Sequence, residues 1–158
     1  MTNDKKQAYT LRISQANKSA LVVILYEMFE DYVTEAKECI ASENRQGLKL
    51  SLNKARGCVN ELMESLHLEY EVAQNLLQLY LYVYRELLNC EMRKDGVHLE
   101  NALKVMVPLK ETYVTVSASD TSEAVMTNAQ TVVAGLTYGR NDVNESMADQ
   151  GASRGFYV

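Results

Sequence analysis

The residues best suited to chemistry in this sequence are Glu64 and His67, which lie three positions apart. A Glu-x-x-His unit is the one that di-iron bundle proteins use, because both side chains project from the same face of a helix. A di-metal site needs this unit twice, together with two further inward-facing glutamates. The only other histidine, His98, has no glutamate three positions before it. We therefore predict no metal site, although a ferritin-like metalloenzyme remains an alternative that a metal analysis would test.

No other catalytic pattern is found in the sequence, which has no nucleophile elbow, phosphate-binding loop or dinucleotide fingerprint. The glycine-bearing segment 135–139 follows a predicted helix, so it cannot hold a phosphate at a helix N-terminus. Cys39, Cys58 and Cys90 are widely spaced and form no CxxC pair, which predicts free thiols in a reducing compartment. We predict that the protein is not an enzyme and uses no cofactor.

Charge and hydropathy exclude other classes of function. The formal net charge of −5 argues against a nucleic-acid partner or an anionic membrane surface, because both need a basic face. The first ten residues, MTNDKKQAYT, lack the apolar region of a signal peptide. No apolar run approaches the roughly 20 residues that span a bilayer. We expect a cytoplasmic protein with no stable insertion into a membrane.

The elements that would position any functional residue are helices. Apolar residues recur at steps of three and four, which predicts four helices over residues 18–42, 44–67, 70–92 and 97–117. Asn17 is the predicted N-cap of the first helix, and Pro108 is expected to kink the fourth. Because the connections are only a few residues long, neighbouring helices should pack antiparallel. The predicted fold is all-α, an up-down antiparallel four-helix bundle.

The two ends of the chain differ from this helical body. Residues 1–16 are a polar arm, which we group with the bundle as a domain over residues 1–118. Residues 119–158 form an extension, with one amphipathic helix predicted over Thr121–Leu136 and a flexible end, rich in Gly, Asn, Asp and Ser, over Tyr138–Val158. We hypothesise that the predicted helix Thr121–Leu136 covers part of this protein's own partner-binding groove in the free protein and is displaced by the partner; the alternative is a tail without a role.

The first and third predicted helices carry more apolar residues than a helix of a bundle needs. Such a helix needs apolar residues at about three positions in seven. A large uncovered apolar patch usually marks an interaction site, and a groove for an amphipathic helix is a common form. The alternative is that these two helices are central and buried on most sides. Including apolar residues of the N-terminal arm, the predicted partner-binding residues are Tyr9, Leu11, Ile13, Val22, Tyr26, Phe29, Val33, Leu77, Leu81, Tyr84 and Leu88.

Several stretches, taken in order, resemble the flagellin-specific secretion chaperones of the FliS family. The stretches are Gln7–Tyr9, Ala20–Glu27, Leu52–Arg56, Val59–Leu62, Val72–Leu76, Leu79–Tyr80 and Leu109–Tyr113. The resemblance covers about residues 5–117. The sequence departs from the family pattern at Lys18, Glu27 and Met28, and Tyr113 stands where the family usually has tryptophan.

The resemblance implies a cytosolic chaperone that binds the C-terminal segment of flagellin as helices laid in apolar grooves. It further implies that the chaperone prevents premature filament assembly and delivers its cargo to the flagellar export gate protein. Tyr9 is the matched residue of the N-terminal arm, while Leu11 and Ile13 are assigned by position only. Two alternatives remain open: a homodimer closed by the spare apolar stripes, and a helical adaptor with a different cargo.

Overall fold

The structure is a computed structural model that describes residues 1–126. Within that range the protein is all-helical, with five helices and no strand. The helices are α1 (Asn3–Gln15), α2 (Lys18–Ala41), α3 (Arg45–Glu64), α4 (Glu71–Arg93) and α5 (Val97–Ser119). The all-α prediction is confirmed, and α2 to α5 correspond to the four predicted helices.

Helices α2 to α5 enclose one hydrophobic core. Helix α2 packs against α3 and α5, and α4 packs against the same two helices, so the four contacts form a closed cycle. All four helices contribute fully buried side chains to this core, among them Phe29, Leu52, Val59, Leu87, Leu99 and Met106. Residues Met1–Val125 form one compact unit around it.

The helix ends follow from local side-chain chemistry. The Asn17 side-chain oxygen accepts a hydrogen bond from the Ala20 N–H at 2.9 Å, which confirms it as the N-cap of α2. Asn44 caps α3 in the same way, through the Gly47 N–H at 2.9 Å. Helix α4 ends before Lys94, which has a left-handed backbone with φ of 54°.

The N-terminal arm is a helix, which the sequence analysis did not predict. Thr2 caps α1 through the Lys5 N–H, and α1 packs mainly on α2. No residue of α1 is buried. Tyr9 and Ile13 lie four positions apart and are both half-buried, so they share one face of α1, while Leu11 between them is exposed.

The C-terminal extension differs from its prediction where it is described. The helix predicted over Thr121–Leu136 has no helical residue as far as Met126. Residues after Ser119 instead run to the junction between α1 and α2, where the Val125 N–H donates to the Ala16 carbonyl at 3.0 Å. The rest of that predicted helix, and the segment Tyr138–Val158, lie outside the described residues.

Two glycines of α3 should respond in opposite ways to alanine. A Cβ on Gly57 would meet no atom within 4 Å, so Gly57→Ala should stabilise the fold by about 0.5–1 kcal/mol. A Cβ on Gly47 would lie 2.8 Å from the Cys39 sulfur and 2.6 Å from the capping Asn44 amide. Gly47→Ala should therefore destabilise by about 1–3 kcal/mol. Urea denaturation followed by circular dichroism measures both, and equal effects would contradict the close packing of Gly47.

Candidate partner-binding site

The apolar excess of α2 is used inside the fold. Tyr26, Phe29 and Val33 are fully buried in the core, and Val22 is half-buried. Helix α2 has three neighbours, α1, α3 and α5, so most of its circumference is covered. The expectation that these three fully buried side chains line an open groove is not met in this structure. Helix α2 is instead central and buried on most sides, which is the alternative given in the sequence analysis.

Helix α4 keeps its second stripe at the surface. Leu81 is 39% exposed and Leu88 is 38% exposed, while Leu77 and Tyr84 are half-buried. We call these four residues the α4 stripe. Helix α4 packs mainly against α3 and α5, and it lacks the additional cover that α1 gives to α2. The same excess of apolar residues therefore remains accessible on α4.

Two polar contacts show which side of α4 carries the stripe. Glu91 lies three residues after Leu88 and seven after Tyr84, so it shares their face, and its carboxylate accepts a hydrogen bond from Arg56 of α3 at 2.6 Å. Glu86 lies on a different face and contacts His98 of α5 at 2.9 Å. The α4 stripe therefore lies on the side of α4 that is nearer to α3 than to α5.

A cleft of about 600 Å³ opens where the N-terminal parts of α2 and α4 meet the C-terminal end of α5. Its apolar lining residues are Val22, Leu66, Tyr70, Val72, Ala73, Leu76 and Tyr113. Val22 is the one predicted partner-binding residue that lies here. None of the other lining residues was among the predicted partner-binding residues, so the cleft was not predicted. The signal that could have found it is the run of apolar residues Leu68, Tyr70 and Val72 around a helix connection, where polar residues are expected.

Charged and polar groups form the rim of this cleft. Lys18 Nζ lies 3.0 Å from His67 Nε2, and Asp120 and Ser122 line the other edge. Hydrogen bonds from Ser122 and Ser19 lower the pKa of Asp120 to about 2, so its carboxylate is charged at neutral pH. An apolar floor with a polar rim suits an amphipathic partner.

Polar contacts hold α1 on α2. Lys5 Nζ lies 2.7 Å from Asp31 and the Tyr9 hydroxyl donates to Asp31 at 2.8 Å. Arg12 pairs with Glu27 at 2.5 Å. Exposed ion pairs each contribute about 0–1 kcal/mol, so α1 is the helix with the weakest attachment among those described. Of the predicted arm residues, Leu11 is 60% exposed, while Tyr9 and Ile13 are half-buried.

The model of the flagellar protein FliS family matches residues 1–120. The chain belongs to this family. It is also similar to the flagellar secretion chaperone FliS of Escherichia coli (strain K12), with 32% identity over 97 residues that span 60% of this chain and 71% of that protein. The FliS family consists of chaperones rather than enzymes, which gives the chain a chaperone role in flagellar export and implies a flagellar substrate.

Among the described residues, the Glu-x-x-His unit of this FliS-family chain is not part of any larger group of possible metal ligands. Glu64 is exposed at the end of α3, and residues 1–126 contain no group of three or more His, Cys, Asp or Glu side chains that could hold a metal ion. None of the helices in the same range has both the length and the apolar character that crossing a bilayer requires. Cys58 and Cys90 are buried free thiols, and Cys39 is half-buried.

A cluster of tyrosines links the cleft to the core. The hydroxyl oxygens of Tyr26 and Tyr80 lie 2.5 Å apart, and the ring of Tyr113 lies 5.7 Å from that of Tyr26. Burial raises the pKa of all three phenols, most strongly that of Tyr26, and it raises the pKa of Tyr80 to about 12. Tyr113, at the position where the family usually has tryptophan, forms part of the cleft wall.

This cluster predicts a loss of stability at alkaline pH. A phenol whose pKa is higher in the folded state than the unfolded value of about 10 stabilises the fold below pH 10, and this contribution is lost as pH rises. With the pKa of Tyr80 at about 12, this phenol alone should lower the free energy of unfolding by about 2 kcal/mol between pH 9 and pH 12, and Tyr26 and Tyr113 should add to the fall. Urea denaturation across this range measures it. Tyr80→Phe should reduce the fall, and an identical fall in the variant would contradict the assignment.

Proposed function

We propose that this chain binds the C-terminal segment of flagellin in the cytoplasm, keeps it from polymerising, and delivers it to the flagellar export gate protein. The observation that carries the proposal is the exposed α4 stripe in a member of a family of flagellar export chaperones. Flagellin is the cargo that the resemblance of the sequence implies, and an apolar surface is the feature that such a cargo helix needs.

The spacing of the α4 stripe supports a helical cargo. Leu77, Leu81, Tyr84 and Leu88 recur at steps of four, three and four, so they form one continuous edge along the helix. An amphipathic partner helix binds such an edge through its own apolar residues at similar steps. Leu81 and Leu88 are each about two-fifths exposed, so their full burial contributes about 0.6–1.2 kcal/mol per residue before the cost of ordering the cargo.

The proposal rests on α2 to α5 forming an up-down antiparallel four-helix bundle. In that arrangement the groove between α3 and α4 runs along the whole of α4, whose 23 residues correspond to about 35 Å. A cargo helix can therefore lie along the groove, while a second segment enters the cleft through contacts with Val22, Tyr70 and Val72.

Residues outside α4 have different roles in this proposal. Leu11 is exposed on α1 and is available for a further contact, with Tyr9 and Ile13 beside it. Tyr26, Phe29 and Val33 are left out of the binding surface because they are buried in the core.

The same exposed stripe favours a second candidate, a homodimer in which two copies of α4 cover each other. The mass in solution tests both candidates. Light scattering on the protein alone should give the 17.8 kDa monomer, and adding the C-terminal segment of flagellin should give a complex of one copy of each. A dimer that persists and excludes the flagellin segment would overturn the proposal and favour the homodimer.

A further inference from the structure

Residues 120–125, which we call the strap, follow α5 and cross the junction between α1 and α2. The Val125 N–H donates to the Ala16 carbonyl at 3.0 Å, and Ala16 is only 6% exposed. The Asn17 side-chain amide donates to the carbonyls of Asp120 at 3.2 Å and Ser122 at 3.3 Å. The strap is therefore bonded to both residues that connect the two helices.

Asn17 has two separate tasks at this junction. Its side-chain oxygen accepts from the Ala20 N–H and caps α2, while its side-chain nitrogen bonds the strap. Ser19 adds a third attachment, because its hydroxyl donates to the Asp120 carboxylate at 2.5 Å. The two tasks use different atoms of Asn17, so a substitution can remove one and keep the other.

The strap also forms one edge of the cleft. Asp120 and Ser122 line the cleft, and five residues after Asp120 the strap bonds to Ala16, which ends α1. One short segment thus connects the cleft to the end of the N-terminal helix. Helix α1 buries no side chain of its own, so its position depends on its polar contacts and on the junction that the strap holds.

We propose that the strap is a latch that keeps α1 docked on α2 and couples the position of α1 to the occupancy of the cleft. A partner segment that enters the cleft contacts Asp120 and Ser122, loosens the strap, and thereby frees α1. The identity of that partner as flagellin rests on the proposed function, whereas the hold of the strap on α1 does not.

The free full-length protein tests the latch through amide hydrogen exchange read by mass spectrometry. Asn17→Asp keeps a capping oxygen for the Ala20 N–H but removes both amide donors to the strap. Exchange in peptides from residues 3–15 should become roughly tenfold faster, since about two neutral hydrogen bonds are lost. The exchange rate in α3 should stay unchanged, which would show that the core is intact in the variant.

Two further variants keep the test decisive. Ser19→Ala removes the bond to Asp120 without touching the cap and should accelerate exchange of α1 in the same direction. Ser119→Ala is the matched control, because the Ser119 hydroxyl bonds only the Val116 carbonyl inside α5. Unchanged exchange of α1 in both Asn17→Asp and Ser19→Ala would overturn the latch, as would equal acceleration in the Ser119→Ala control.

Adding the C-terminal segment of flagellin to the wild-type protein separates this inference from the proposed function. The coupling predicts faster exchange in residues 3–15 and in the strap when the segment binds. Binding without a change in α1 would overturn the coupling and leave the proposed function standing. If the segment does not bind, the proposed function fails, and the variants in the free protein still decide the latch.

Discussion

Replacing Phe29 with alanine is expected to lower the free energy of unfolding by about 3–5 kcal/mol. Phe29 is fully buried among residues of α2, α3, α4 and α5, so the change removes apolar burial and leaves a cavity. If the stripe of α2 were a surface groove, the same change would cost little stability. Urea denaturation with a circular dichroism signal measures the difference.

The matched control for Phe29→Ala is Tyr82→Ala, which truncates an exposed aromatic residue on the outer side of α4. Its effect should stay within about 0.5 kcal/mol, as expected for a surface position. A Phe29→Ala variant as stable as Tyr82→Ala would show that the stripe of α2 is not part of the core.

Replacing Leu81 and Leu88 together with glutamate is expected to weaken binding of the flagellin C-terminal segment by about a hundredfold or more. Leu81 and Leu88 are 39% and 38% exposed in the free protein, so their full burial by the cargo contributes about 0.6–1.2 kcal/mol each. Each glutamate covered by the cargo adds a desolvation cost of more than about 1 kcal/mol, and about 1.4 kcal/mol corresponds to a factor of ten. Both side chains are more than a third exposed, so the double variant should remain folded.

Leu50→Glu is the control for the α4 stripe. Leu50 is an exposed leucine of α3 that is 54% accessible and lies on neither the cleft nor the α4 stripe. The Leu50→Glu variant should bind the flagellin segment with the affinity of the wild-type protein. If the double variant keeps its fold and its full affinity, the cargo groove lies on another face.

Periodicity predicted α2 to α5 well because each of these helices buries a stripe in a common core. Asn17 also marked the start of α2, because a side-chain cap acts within three residues of its own position. Helix α1 was missed because it is held by pairs such as Lys5 with Asp31, which leave no apolar repeat in the sequence.

The candidate site was predictable only in part. The first and third predicted helices have similar apolar excess, and nothing in the spacing shows that α1 covers α2 and leaves α4 without such cover. The α4 stripe was therefore predicted from residues that the structure leaves exposed or half-buried, whereas Phe29 and Val33 were assigned to a surface that the fold buries. The cleft joins Val22, Tyr70 and Tyr113 from the ends of different elements, which only the packing of the helices brings together.

Isothermal titration calorimetry of the full-length protein with the flagellin C-terminal segment, at several temperatures, measures both the binding of the cargo and the burial of apolar surface. We expect saturable binding of one segment per chain, with a negative change in heat capacity because apolar surface is buried. The absence of saturable binding, or binding without a negative heat-capacity change, would contradict the proposed function.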